Sequence, residues 1–119
     1  MKIGARQRAA FDCEMATALD LERQGQIGQA FHHLERAHVL GQRHIVPHVR
    51  SHWAMLIIEL RRRRASAAWG QLVRVVLGAF GSAVGKVPAG NTGGTDISMF
   101  RRMPIDPELR RLMEPDLNP

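Results

Sequence analysis

The sequence predicts an all-α fold. It reads as a four-helix, antiparallel bundle-like domain or as tetratricopeptide-like helical hairpins, with a Gly-rich loop and a short C-terminal helix packed across it. Three observations predict this. Between residues 9 and 84 apolar side chains recur every three to four positions. No stretch alternates with the period of a strand. The links between periodic segments are short, which makes successive helices antiparallel neighbours. At 119 residues the chain is expected to form one domain, 1–119. Tyr is absent and aromatics are few, so the core must come from Leu, Val, Ile, Ala and Met.

The first helix is expected over 9–23, where Phe11, Met15, Ala18 and Leu21 form a stripe that Gly25 ends. A second, over 26–40, buries Ile27, Ala30, Phe31, Leu34 and Ala37, with Gly41 as its C-cap. A third runs over 47–64. Pro47 opens it, because its missing N–H would be unpaired in a first turn, and Val49, Trp53, Leu56, Ile57 and Leu60 are its apolar residues. A fourth, over 65–84, carries Trp69, Leu72, Val73, Val76, Leu77 and Phe80. Gly70, Gly78 and Gly81 weaken that helix, by about 1 kcal/mol each against Ala, unless they let another segment approach closely. Residues 85–105 have no periodicity and many glycines, so they read as loop. Asp106 and Pro107 then suit the N-cap and first position of a short helix over 107–113. Residues 114–119 are expected to fray.

Composition narrows the function classes. Cys13 is the lone cysteine, which excludes an internal disulfide and suits a reducing compartment. It reads as a small buried residue rather than a ligand or nucleophile. No apolar leader opens the chain and no run is long and clean enough to span a membrane, so a cytoplasmic location is expected. The formal charge is +6, and Arg61, Arg62, Arg63 and Arg64 supply most of it. Such a run can contact an anionic partner. It also suits a helix C-terminus, where cations complement the helix dipole, and that reading is preferred. Nucleic acid is not favoured, since there is no recognition motif and little aromatic interleaving.

The chemistry concentrates in Glu35 to His52, ERAHVLGQRHIVPHVRSH. All six histidines lie between His32 and His52. Glu35 and His38 are three apart, and His48 and His52 are four apart, so each pair shares one helix face. Folding the second and third helices about a turn near Arg43 brings His38 level with His48 and Glu35 level with His52. Folding the first two helices about Gln24 brings Glu14 to the same height. Glu14, Glu35, His38, His48 and His52 are therefore expected to converge. Neutral imidazole with carboxylate suits a divalent transition metal, zinc first. A carboxylate could instead orient an imidazole through its free N–H. One Glu-x-x-His pair is present where carboxylate-bridged di-metal bundles use two, so a di-iron site is not expected. The alternative is a buried hydrogen-bonded network. His32, His33 and His44 read as a solvated face or turn. The loop residues Gly90, Asn91, Thr92 and Gly93 lack the ending of a P-loop. They read as a lid over the layer, with Gly supplying positive φ, in preference to an anion cradle.

Several ordered segments also resemble a known family. Leu34 to Gln42, Pro47-His48 with His52, Gly70-Gln71, Pro88 with Gly90 to Gly93, and Met103-Pro104 are similar to motifs of the bacterial domain-of-unknown-function family 3703, over roughly Phe11 to Met113. The resemblance implies a small helical protein of a kind often encoded near heavy-metal resistance or efflux genes, and hence metal handling. It places the family's ERAH motif on Glu35 to His38 and its PHxxxH motif on Pro47 to His52. The leading expectation is a metal-binding accessory protein: a buffer, sensor or chaperone. A helical protein-interaction module is the second reading. A metal-dependent enzyme, with Glu14 or Glu35 as general base under the loop, is the third.

Overall fold

The computed structural model describes residues 3–114, and all regular structure within them is helical. The elements are α1 (Ala5–Arg23), α2 (Ile27–Gly41), α3 (Ile45–Arg61), α4 (Ala65–Ala83) and α5 (Pro107–Met113). Helices α1 and α2 form one hairpin and α3 and α4 another, α2 packs on α3 between them, and α5 lies against α1 and α2. Residues 115–119, part of the stretch expected to fray, lie outside the described residues. No helix among those described is long and apolar enough to cross a membrane.

Helix α1 begins a turn earlier than its apolar stripe. That turn is held from outside: Gln7 Nε2 donates to the Leu40 carbonyl at 2.6 Å, and the Arg6 guanidinium donates to the Arg111 and Glu114 carbonyls at 2.9 and 3.1 Å. Helix α3 begins at Ile45, two residues before Pro47. Its first turn tolerates the proline because the first internal bond is His48 N–H to the His44 carbonyl. It stops at Arg61, short of Arg64, because Arg63 takes a left-handed φ of 57° and the Arg64 N–H closes back on the Glu59 carbonyl. The arginine run is thus the turn between α3 and α4. Arg61 reaches Glu22 at 2.9 Å, and Arg62 and Arg64 each lie 3.4 Å from the buried carboxylate of Glu59.

Several expectations about packing are corrected. Gly41 is the last residue of α2 and not its C-cap. A Cβ there would lie 2.6 Å from the Pro47 Cβ and 3.0 Å from the Phe11 ring, so glycine is needed for the close crossing of α2 over α3. Another concerns α4, whose apolar residues do not form the core. Trp69, Val76 and Phe80 are 68%, 64% and 69% exposed, whereas Ala67, Ala68, Gln71 and Ser82 are buried. The inward stripe of α4 is small and polar. Trp53 and Leu60 of α3 are likewise more exposed than buried. The core sits elsewhere. Phe11, Ala37, Val39, Leu40 and Leu109 form one cluster, and Ala18, Ala30, Leu34, Met55 and Ile58 form the other. Cys13, expected inside, is exposed.

The loop 85–105 returns across the second hairpin. Gly90 and Gly93 have φ of 79° and 85°. A Cβ on Gly90 would also strike the Met103 carbonyl, at the point where the Met103 N–H bonds Ala89.

A pair of glycine substitutions tests this packing. Gly41→Ala should lower stability by about 1–3 kcal/mol through overpacking. Gly28→Ala, also in α2 but facing open space, should be neutral or stabilise by up to about 1 kcal/mol. Urea unfolding of both variants checks the contrast, and equal effects would contradict the α2–α3 contact.

Candidate metal centre

Helix geometry supplies the first part of the site. His48 and His52 are four residues apart on α3, so their side chains leave within about 40° of each other. His38 comes from α2, opposite them. The three side chains are 2%, 4% and 3% exposed for His38, His48 and His52, and their ring centroids lie 4.5–4.9 Å apart. His52 Nε2 stands 3.0 Å from His38 Nε2 and 3.2 Å from His48 Nε2. The three residues form a group whose donor atoms could hold one metal ion.

Each ring is fixed from behind through Nδ1. His38 Nδ1 lies 2.7 Å from the Asn91 carbonyl. A carbonyl only accepts, so this nitrogen carries the proton. His52 Nδ1 lies 2.8 Å from Gln71 Oε1. The amide of Gln71 is oriented by its Nε2, which donates to the Gly93 carbonyl at 3.0 Å, so its oxygen accepts from His52. His48 Nδ1 lies 2.7 Å from Ser82 Oγ. That hydroxyl gives its proton to the Gln42 carbonyl at 2.6 Å, so it too accepts. All three imidazoles therefore carry hydrogen on Nδ1, and the three facing Nε2 atoms present lone pairs.

Burial works in the same direction. It pushes the His48 pKa from 6.5 down to about 4. Burial first, and His48 next, push His52 down to about 3. His38 lies well below its ordinary value, through burial and then its two neighbours. Neutral imidazole is the form that ligates. With Zn–N bonds of about 2.05 Å, the two short Nε2 separations subtend about 94° and 103° at a common ion. Two glycines permit this approach: a Cβ on Gly93 would meet the His38 ring at 2.7 Å, and one on Gly78 would meet the His48 ring at 2.9 Å.

The expected glutamates are not brought to this point. Glu14 turns to the α1–α2 face, where it accepts from Arg36 Nε at 2.9 Å and pairs with His33 Nδ1 at 2.6 Å. Glu35 sits under the loop beside Thr92 and His32, and burial, then Asp96, raise its pKa. Counting outward from a turn fixes the height of a residue along a hairpin but not its direction around the helix. Glu35 points about 60° away from His38, enough to leave the site. Of the three histidines set aside, His32 is exposed, His33 is held by Glu14, and His44 is the N-cap residue of α3.

Loop residues do cover the histidines. Asn91 supplies a carbonyl to His38, and its side chain ties the loop to the Ser98 and Arg101 carbonyls. The Gly90 and Gly93 N–H groups are spent on Gln42 and Asn91 side chains, which leaves neither for an anion. Gln42, Gln71 and Ser82 were not expected at the site. Gln42 and Gln71 stand within the motifs that carry the family resemblance, and no periodicity marks Ser82.

A cavity of about 320 Å³ opens beside the three rings, with Leu77, Phe80, Val84, Val87, Met99 and Phe100 among its lining.

The family described as "Protein of unknown function (DUF3703)" matches residues 5–113. No curated protein and no solved structure matches the chain.

The depressed histidines set a pH dependence for metal-free protein. The unfolded chain takes up protons near pH 6.5, whereas folded His48 and His52 wait until about 4 and 3. Between these values the unfolded state holds more protons, so stability is full above about pH 7 and falls as pH drops through that window. The slope is at most about 1.4 kcal/mol per pH unit for each histidine. Unfolding of chelator-treated protein between pH 7.5 and 4.5 should show this loss, and a His32→Ala, His33→Ala variant should retain it. A flat profile would contradict three buried neutral imidazoles.

Proposed function

We propose that this chain, which belongs to the DUF3703 family, is a divalent transition-metal-binding accessory protein whose ligands are His38, His48 and His52. One observation carries the reading. All three Nδ1–H groups are spent on acceptors, so the converging Nε2 atoms have no hydrogen to share. A structural hydrogen-bond network needs a donor at that centre. An added proton would supply one, but burial opposes it. A metal ion satisfies all three lone pairs at once without protonating a ring.

Three neutral nitrogens with no thiolate favour zinc, and also suit cobalt, nickel, iron or copper(II). Orientation of each ring by an acceptor on its far nitrogen is the arrangement that ligating histidines use. The helix-bundle setting and the covering loop suit a protein that holds or senses an ion, in line with a buffer, sensor or chaperone.

Tag-free protein, stripped with chelator and titrated with zinc or cobalt, should bind one ion per chain. At free zinc a hundredfold above Kd, unfolding should require about 2.7 kcal/mol more. His48→Ala with His52→Ala should abolish binding while helicity persists, and His32→Ala with His33→Ala should not. Stoichiometry at background for every metal, or binding indifferent to the His48/His52 pair, would overturn the proposal.

A further inference from the structure

Three imidazoles leave at least one position of a four-coordinate ion unfilled, and the cavity lies against the same rings. Its walls are apolar for the most part: Leu77 and Phe80 from α4, Val84 at its C-cap, and Val87, Met99 and Phe100 from the loop. Its volume, about 320 Å³, falls in the range of small-molecule sites.

Charge then restricts what can enter. The imidazoles are neutral, and their Nδ1 acceptors are a carbonyl, an amide and a hydroxyl. Among the described residues no carboxylate touches the rings from either side, so none of them offsets the charge of a divalent ion. The lining adds two cations, Arg74 and Lys86, and no Asp or Glu among the described residues. Arg74 is held by the Gly70 and Ile97 carbonyls at 3.2 and 3.1 Å. Its Nε is buried without a hydrogen bond among the described residues, and Asp96 acts on it from outside the lining.

Building on the three-histidine reading above, we infer that the cavity is a binding site for a small organic anion with an apolar body, a carboxylate being the simplest case. Its head group completes the coordination of the ion and offsets half of its double charge, and its tail lies among Leu77, Phe80, Val84 and Phe100. The ion and the cavity then form one composite site, and the anion is bound only by metal-loaded protein.

The cobalt-loaded protein tests this, because the visible spectrum of cobalt(II) responds to a change in its ligands. Acetate, butyrate, hexanoate and octanoate are titrated in turn, with hexanol as the neutral control. Carboxylates should perturb the spectrum, with affinity rising about threefold to fourfold per methylene until the cavity is filled, and hexanol should not. Phe80→Ala removes a side chain that is 69% exposed, so the fold survives. It should flatten the chain-length dependence while leaving acetate binding in place. Lys86→Gln should weaken every carboxylate by a similar few-fold factor. Cobalt that binds but ignores every carboxylate overturns the inference, as does hexanoate binding no more tightly than acetate. Failure of cobalt to bind at all is a different result: it removes the three-histidine reading, and this inference with it.

Discussion

The structure depends on three hydrogen bonds made on the far side of the histidines. An imidazole has two nitrogens, and fixing the proton on one decides what the other offers. Here Nδ1 is fixed by the Asn91 carbonyl, Gln71 Oε1 and Ser82 Oγ, which come from the loop and from two ends of α4. Each acceptor is held in turn: Gln71 by Gly93, Ser82 by the Gln42 carbonyl, and the Asn91 side chain by Ser98 and Arg101. Gln42 then reaches Pro88 and Gly90. The rings, α4 and the loop are consequently one connected system, with no charged member among the acceptors.

That system explains why α4 is built against the usual pattern. A buried polar group without a partner costs about 1–3 kcal/mol, so Gln71 and Ser82 had to be placed where His52 and His48 could meet them. Small residues had to flank them, because Gly78 lies against the His48 ring and Gly70 against Thr95. The inward face of α4 was thereby taken up by the site. Its large apolar residues are left on the outside, where Leu77 and Phe80 wall the cavity together with Val84 at its C-cap. The apolar core is made by α1, α2, α3 and α5 instead.

Apolar spacing was a good guide to the helices and a poor one to the direction of α4. The three-to-four-residue period located four helices, and the Asp106-Pro107 signal located α5, with Asp106 accepting from the Glu108 N–H. The period says which residues share a face, but not whether that face meets the core. Trp69, Val76 and Phe80 therefore suggested a core that Gln71 and Ser82 in fact face. The same distinction applies at the site. His48 and His52 were readable because their spacing is intrinsic to one helix, and His38 because the hairpin count gave its height. Glu14 and Glu35 had the right height and the wrong direction, which depends on how α1, α2 and the loop rotate against one another. Backbone acceptors such as Asn91 O leave no mark in a sequence at all.

The site is positioned by contacts that do not involve an ion. Phe11 and Leu40 lock α2 on one side of His38, Met55 and Ile58 lock α3 beyond His52, and Gly41 lets the two helices close on Pro47. The fold therefore brings three lone pairs to within 3.0–3.2 Å along the His38–His52–His48 chain of contacts, although nothing in the protein is donated between them. Such a centre is electrostatically unfavourable by itself, and the core and the Nδ1 bonds hold it in place. A cation entering there would relieve that repulsion and would find its ligands already ordered, so little of its binding energy would go into arranging them. Any ion bound on these terms adds its binding free energy to the stability of the fold by mass action. Any ion bound there would be coupled to the order of α4 and the loop, because the residues that orient the rings are the same residues that pin the loop across the hairpin.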